Sequence, residues 1–310
     1  MIFALAAALA WGSVGIISTL MGGRSSQQTL GTTFGALIFG LSVMFIWVIP
    51  NHVTMDSHIW ITGLVSGLLW TLGQAGLYVA YGAIGVSEAY PLSVAGQLAG
   101  NALLGAALLS EWKTSTAWVV GLVAVVVIVV GAMLISAPAK KTESNLATSN
   151  PKMSQGLVAV GISTLGYMAY FIIPNLFSKF GFISQQVRDA NHGINYMTSI
   201  IGPQSIGQVI GAFIIVIFVL KDSKNMWKKA TWKNITTGLV WALGNLLFLL
   251  AAGNPSVGQT TASTLSQLGI IVGTFGGILV LHEKKTKDQL LKIAIGTVLV
   301  IIGAFVISKL

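Results

Sequence analysis

Charged residues are scarce in this chain of 310 residues. Asp, Glu, Lys and Arg together make up 8% of the sequence, against about 25% in an ordinary soluble domain. So few charges cannot cover the surface of a soluble two-domain protein, and that class is therefore excluded. Hydrophobic types reach 54%, which excludes a disordered chain as well.

Cysteine is absent, which excludes a disulfide framework, a thiolate nucleophile and a cysteine metal site. The histidines lie outside the apolar runs and show no ligand spacing. No glycine-rich phosphate loop followed by Lys-Ser or Lys-Thr is present. We therefore expect no catalytic residue, no bound metal, no cofactor and no enzymatic activity.

The apolar residues are grouped in runs of about 20, the length that crosses a bilayer as a helix. Ten such runs lie at residues 2–21, 31–49, 59–80, 87–109, 116–136, 155–173, 194–220, 234–252, 256–281 and 290–308. Lipid cannot satisfy free backbone N–H and C=O groups. The sequence thus predicts an all-α integral membrane protein with ten transmembrane helices.

The net charge of +9 is concentrated in the short loops between these runs. Of the 17 Lys and Arg residues, thirteen fall in loops on one side of the predicted membrane and four on the side that carries both termini. The positive-inside rule puts the basic loops in the cytoplasm and the termini outside. Nucleic-acid binding is not expected, whereas the segment from Lys221 to Lys233, with Trp227 and Trp232, predicts contact with anionic membrane lipid.

The third to fifth predicted spans are repeated in the eighth to tenth. The segment from Gly67 to Gln74 matches the segment from Gly238 to Asn245, 171 positions later. Glu88 is matched by Gln259 at the same offset, whereas the first two spans match the sixth and seventh only weakly. The ordered series of matches indicates a duplication.

The duplication divides the chain into residues 1–136, a polar linker loop at 137–153 and residues 154–310. Each half holds five predicted spans. An odd number of spans means that the second copy enters the bilayer inverted relative to the first. Inverted repeats that enclose a site at their interface, near the bilayer midplane, are a transporter architecture.

The predicted spans contain amides and aromatic rings but no central charge, which favours a neutral cargo. A sugar needs groups that both donate and accept hydrogen bonds, and an aromatic surface for its C–H face. Trp70 with Gln74 and Trp241 with Asn245 stand four residues apart, so each pair shares a helix face. The predicted sugar-binding residues are Trp11, Trp70, Gln74, Gln97, Asn101, Tyr167, Gln204, Gln208, Trp241, Asn245 and Gln267. For each amide, a hydrogen bond between helices remains the alternative.

Glu88 is the one acid within an apolar run. A partly buried carboxyl group can carry a proton, so we predict that Glu88 couples transport to protons. An exposed acid that stabilises a helix N-terminus is the alternative. In that case an uncoupled sugar uniporter is the simpler mechanism.

Several short motifs, in this order along the chain, resemble the bacterial glucose/ribose uptake family of the drug/metabolite transporter superfamily. They are Trp11-Gly12, Gly31-Thr32-Thr33-Phe34-Gly35, Trp70-x-x-Gly73-Gln74, Pro91-Leu92-Ser93, Gln97-Leu98, Leu265-Ser266-Gln267-Leu268 and Gly276-Gly277. The resemblance implies a ten-helix, two-repeat plasma-membrane carrier that imports a monosaccharide, glucose ahead of ribose, with protons. The superfamily is usually drawn with both termini in the cytoplasm, opposite to the charge count.

Two other functions are weighed against sugar import. An exporter of small amphipathic metabolites or drugs on the same fold would have a more apolar centre with fewer amides. A membrane enzyme or sensor would need a catalytic constellation or a soluble domain, and neither is visible. Nothing in the sequence demands a partner, so we expect a monomer or a weak homo-oligomer.

Overall fold

The computed structural model describes residues 1–135, 151–252, 262 and 265–310, and this part of the chain contains helices and no strand. Its α-helices, numbered here in chain order, are α1 (Ile2–Met21), α2 (Ser25–Val43), α3 (Ser57–Ile84), α4 (Val86–Leu104), α5 (Ser115–Ile135), α6 (Pro151–Lys179), α7 (Gln185–Asp189), α8 (Ile194–Ile214), α9 (Lys229–Lys233), α10 (Ile235–Ala252), α11 (Gly269–Leu279) and α12 (Lys287–Ile307).

Eight of the described helices are long and apolar enough to cross a membrane. They correspond to the first seven predicted spans and to the tenth. The eighth predicted span coincides with α10, which has 18 residues, and the described part of the ninth coincides with α11, which has 11. Neither is among the eight. The prediction of an all-α membrane protein is thus confirmed, while ten spans in inverted repeats stay a prediction.

Several predicted features lie outside the described residues. The linker loop at 137–153 is described only from Pro151, where α6 begins. The first part of the predicted ninth span, with Gln259, also lies outside the described part of the chain.

The second span begins six residues earlier than predicted, because its polar first turn finds partners in the folded chain. Ser26 donates a hydrogen bond to Asp222 (2.5 Å), and the amide of Gln27 donates to the backbone oxygen of Asn225 (3.0 Å). The amide of Gln28 donates to the backbone oxygen of Ser18 (3.1 Å). Because these hydrogen bonds replace hydrogen bonds to water, the three polar side chains can be buried with little desolvation cost.

Glycines allow two pairs of helices to pack backbone against backbone. On α3, a Cβ added at Gly67 would lie 2.1 Å from the backbone oxygen of Gln204 on α8. On α10, a Cβ added at Gly238 would lie 2.1 Å from the backbone oxygen of Thr32 on α2. A side chain at either glycine would force the two helices apart, as expected for small residues at membrane helix crossings.

The helices α2, α4 and α8 end in the same way. Each passes into a single π-helical turn, Met44–Val48 after α2, Gly105–Leu109 after α4 and Ile215–Val219 after α8. Two matched positions, Ser110 and His282, both follow an apolar helix and have positive φ angles of 60° and 55°. Non-glycine residues seldom adopt this conformation, so its occurrence at two matched positions agrees with the duplication seen in the sequence.

We call the predicted cytoplasmic side of the molecule the basic end. Its loops contain Arg24, Lys221 to Lys233 and Lys284 to Lys287. We call the other side the opposite end. At the basic end, Trp227 and Trp232 stack on Phe34 with ring centroids 6.2 and 5.9 Å away. Both indoles are about half exposed. The predicted contact with anionic lipid stays a prediction.

Candidate functional site

The centre of the candidate site is a pair of tryptophans from the two halves of the chain. The ring centroids of Trp70 on α3 and Trp241 on α10 lie 4.5 Å apart, with an angle of 52° between the planes. Trp70 is 1% exposed, and Trp241 is partly buried. These two residues occupy matched places in the sequence duplication, and the fold brings them into contact.

Tyr167 joins this pair from α6. Its ring lies edge-on to Trp70, with centroids 6.2 Å apart. Its hydroxyl donates a 2.6 Å hydrogen bond to Oε1 of Gln74, whose side chain is buried. Nε2 of Gln74 is buried and makes no hydrogen bond with the described residues. The tyrosine is seated against Gly73, where an added Cβ would lie 2.8 Å from its ring.

Trp11 occupies the corresponding position on α1. Its indole N–H donates a 3.2 Å hydrogen bond to the backbone oxygen of Trp241. The ring is seated against Gly244, where an added Cβ would lie 2.4 Å from the indole. Gly73 and Gly244 are matched in the duplication, so Trp11 contacts α10 as Tyr167 contacts α3. Trp11, Trp70, Gln74, Tyr167 and Trp241 therefore form one connected group, which we call the central cluster.

Gln204 and Gln208 lie at the crossing of α8 and α3. The amide of Gln204 donates a 3.0 Å hydrogen bond to the hydroxyl of Ser66. Thr71 donates to the backbone oxygen of Gln208 (2.9 Å), but both side-chain atoms of Gln208 are buried and make no hydrogen bond with the described residues. Burying an unpaired amide costs about 1–3 kcal/mol. Gln208 is thus a group for which a hydroxyl-bearing ligand would be a favourable partner.

The remaining predicted amides are dispersed. Gln97 on α4 donates a 3.1 Å hydrogen bond to Ser93, whose hydroxyl lies 3.1 Å from that of Ser163 on α6. Oδ1 of Asn101 is buried without a hydrogen bond to the described residues. The other two, Asn245 and Gln267, are partly buried. The described contacts do not connect these four amides with the central cluster.

Two tyrosines that the sequence analysis did not select continue the polar face of α3. Tyr78, four residues after Gln74, is buried and shares a 2.7 Å hydrogen bond with Thr32. The buried hydroxyl of Tyr81 makes no hydrogen bond with the described residues. Their spacing after Gln74, by four and seven residues, is the sequence signal that could have found them.

Glu88 lies in the first turn of α4, and its carboxylate pairs with the ammonium of Lys285. Both side chains are buried, 11% and 8% exposed. Glu88 thus lies at a helix N-terminus, as the alternative has it, but its side chain is buried and not exposed. Lys285, which the sequence analysis did not select, balances the charge of the acid.

One cavity of about 300 Å³ is lined by residues such as Asn195, Tyr196 and Ser199, at the opposite end near the start of α8. None of the predicted site residues lines this cavity. The central cluster itself is filled by its own aromatic rings.

The geometry thus defines an all-helical, multi-pass membrane protein with an uncharged aromatic and amide centre and buried charges at one end. The profile of the family described as "Sugar transport protein" matches residues 2–310. The chain belongs to this family, and it is a multi-pass plasma-membrane protein.

The relatives it resembles span almost its whole length. It is 39% identical over 307 residues to a "Putative sugar uptake protein" of Lactiplantibacillus plantarum, with 99% of this chain and 98% of the relative covered. It is 38% identical over 304 residues to the "Glucose uptake protein GlcU" of Bacillus subtilis, with 98% and 96% covered. The family resemblance predicted from the motifs is confirmed.

A solved structure titled "Crystal structure of protein" has a similar fold. The TM-score is 0.55 at 13% sequence identity, over 98% of this chain and 94% of that chain. At this identity the likeness concerns the fold alone.

Proposed function

We propose that this protein imports a neutral monosaccharide, glucose in preference to ribose, across the bacterial plasma membrane by alternating access. The observation that carries the proposal is the central cluster, where three indoles, a tyrosine and a buried amide meet between the two halves. Indoles offer a surface for the C–H face of a sugar ring, and amides bond to its hydroxyls in both directions. The named sugar uptake relatives support the same function, that of a transporter and not an enzyme.

Inverted five-helix repeats are part of this proposal. Matched contacts support them: Tyr167 on Gly73 corresponds to Trp11 on Gly244, and the crossing of α3 with α8 corresponds to that of α10 with α2. Two such repeats can exchange conformations, which opens the centre to one side at a time.

The remaining predicted amides belong to the proposed pathway as well. Gln204 and Gln208 lie at the crossing of α8 with α3, and we propose that they, like Gln97, Asn101, Asn245 and Gln267, meet the sugar as the repeats move. The contact between Trp70 and Trp241 fills the centre in the described state. The sugar therefore enters only when α3 and α10 separate.

Proton coupling is proposed at Glu88. In the described state the ammonium of Lys285 pairs with the carboxylate. If movement of α4 separates the pair, the carboxylate loses its counter-charge and becomes free to carry the proton. An uncoupled uniporter is the outcome if the pair has a structural role only.

Uptake of labelled glucose by proteoliposomes, with and without an imposed pH gradient, tests the function. We expect saturable uptake above empty liposomes, with accumulation driven by the gradient. Glu88→Gln should retain glucose equilibration and lose accumulation. Gradient-driven accumulation by this variant would remove the proton assignment, and uptake no faster than in empty liposomes would refute sugar import.

The site assignment has a matched pair of variants. Gln74→Leu removes a buried amide of the central cluster, whereas Gln155→Leu removes an exposed amide on α6. A lost hydrogen bond of about 0.5–1.5 kcal/mol corresponds to about a 2- to 12-fold higher KM for glucose. The first variant should show this change and the second none. Equal effects would show that Gln74 does not contact the sugar.

A further inference from the structure

The beginning of α4 is held by the loop that precedes α12, almost two hundred residues further along the chain. Oε1 of Glu283 accepts a hydrogen bond from the backbone N–H of Val86 (2.6 Å). Oε2 accepts from the N–H of Ser87 (3.2 Å) and from its hydroxyl. Two residues further along the loop, Lys285 pairs with Glu88. We call these contacts the α4 latch.

The N-terminus of a helix presents unpaired N–H groups and a partial positive charge, so a carboxylate is a strong partner for it. The start of α4 also permits a close approach. Gly85 has a φ of 85°, and a Cβ there would lie 2.8 Å from Glu283. The latch therefore joins the first half of the chain to the second at the basic end.

The matched loop of the other half differs in exposure, and the segment that the duplication pairs with the start of α4, residues 257–259, lies outside the described residues. In the duplication, Glu111 corresponds to Glu283, and Lys113 corresponds to Lys285. Glu111 and Lys113 are both exposed, and neither makes an ion pair with a described residue. An added Cβ at Gly105 would lie 2.3 Å from the carboxylate of Glu111, so this carboxylate lies against the C-terminal end of α4, the helix that precedes it in the chain.

We infer that Glu283 and Lys285 are positioning residues of the transport cycle, which hold α4 closed at the basic end and must release it before that end opens. The contacts carry the inference: hydrogen bonds to the start of α4 and a buried ion pair join the two halves at the basic end, and this end opens only if they separate. The inference rests on the proposed alternating access, and it adds the residues that hold one of the two states.

The cysteine-free chain allows single cysteine probes to test this release. Thr274 on α11 is buried, and it lies one turn from Gly277, which contacts Ser87. Ser199 is buried near the opposite end, in the wall of the cavity there. The rate at which a water-soluble methanethiosulfonate reagent labels Thr274→Cys or Ser199→Cys reports the opening of each end. The rates are measured without sugar, so they do not depend on what is transported.

In the Thr274→Cys protein, we expect Glu283→Gln to accelerate labelling by at least about tenfold. In the Ser199→Cys protein, the same change should slow labelling, because opening one end closes the other. Glu111→Gln, the matched control, should leave both rates within about twofold. Ser87→Ala, which removes a single bond of the latch, should act in the same direction as Glu283→Gln by a smaller factor.

Three results would overturn the inference. They are unchanged labelling of Thr274→Cys in both latch variants, equal acceleration by Glu111→Gln, and faster labelling at both ends, which indicates local unfolding. Glucose uptake by the parent protein is measured separately. If labelling responds as expected while uptake is absent, the latch stands and sugar import fails; the reverse result leaves import intact and removes the latch.

Discussion

Replacing Gly67 with alanine should destabilise the protein, because α3 and α8 touch through their backbones at this residue. The added Cβ would lie 2.1 Å from the backbone oxygen of Gln204 and 2.8 Å from the backbone nitrogen of Gln208. Neither atom belongs to a flexible side chain that could turn away. Relief to an ordinary contact requires the two helices to move apart by more than about 1 Å, and such overpacking costs about 1–3 kcal/mol.

Gly82 on the same helix is the matched control. A Cβ there would meet nothing within 4 Å. Glycine within a helix is less favourable than alanine by about 0.5–1 kcal/mol, because the unfolded chain loses fewer conformations with alanine. The same chemical change on one helix should therefore have opposite signs, destabilising for Gly67→Ala and slightly stabilising for Gly82→Ala.

Thermal unfolding of the purified protein in detergent measures both effects. For a protein of this size, 1 kcal/mol shifts the Tm by about 2–4 °C. We expect Gly67→Ala to melt roughly 2–12 °C below the parent and Gly82→Ala to melt about 1–4 °C above it. A Gly67→Ala protein that melts at or above the parent temperature would show that the two helices are not in backbone contact.

Three further predictions concern the site, a loop and the orientation. Tyr167→Phe leaves the buried Oε1 of Gln74 unpaired and should raise the KM for glucose by about 2- to 12-fold, measured by uptake; an unchanged KM would contradict the site. Hydrogen bonds from Ser26 and Asn225, together with nearby Arg24, hold the pKa of Asp222 below its usual range. Their contribution to the stability of the fold is therefore fully present above the unfolded pKa of about 3.9, and it is lost as the pH falls through the folded pKa. Ser26→Ala should therefore lower the Tm at neutral pH, and the difference from the parent should shrink in acid; a difference independent of pH would refute this. A cysteine in place of exposed Lys224 should react with an impermeant reagent only from the cytoplasmic side. Reaction from outside would show that the predicted orientation of the protein in the membrane is reversed.

The spans with strongly apolar ends could be predicted from the sequence to within a residue or so. The predicted span at 2–21 coincides with α1, and the span at 116–136 differs from α5 by one residue at each end. Lipid imposes this agreement, since a helix must continue for as long as its backbone lies in the hydrocarbon. The start of α2 could not be predicted, because the partners of its polar first turn come from Asp222 and Asn225, about two hundred residues away.

The candidate site was predictable where the duplication marks it. Trp70 and Trp241 were selected as a matched pair, and the fold places their rings in contact. The partner of Glu88 was not predictable, because Lys285 stands in a run of basic loop residues that is typical of a cytoplasmic loop. Only the fold shows that this one lysine is buried while its neighbour Lys284 is exposed.

The positions of neutral and charged groups suggest a division of tasks within the proposed transport cycle. A charge moved across the whole membrane potential changes energy by about 2.3 kcal/mol per 100 mV, so a charged centre would make reorientation strongly dependent on voltage. The central cluster contains indoles, a phenol and an amide, so in the proposed cycle its side chains add no charge of their own to that dependence. The charges of Glu88, Glu283 and Lys285 lie instead at the basic end, where a short movement of α4 makes or breaks their contacts. In the proposed cycle, sugar recognition thus falls to neutral side chains at the centre and control of access falls to buried ions at the basic end, while the co-transported proton is the charge that crosses the field.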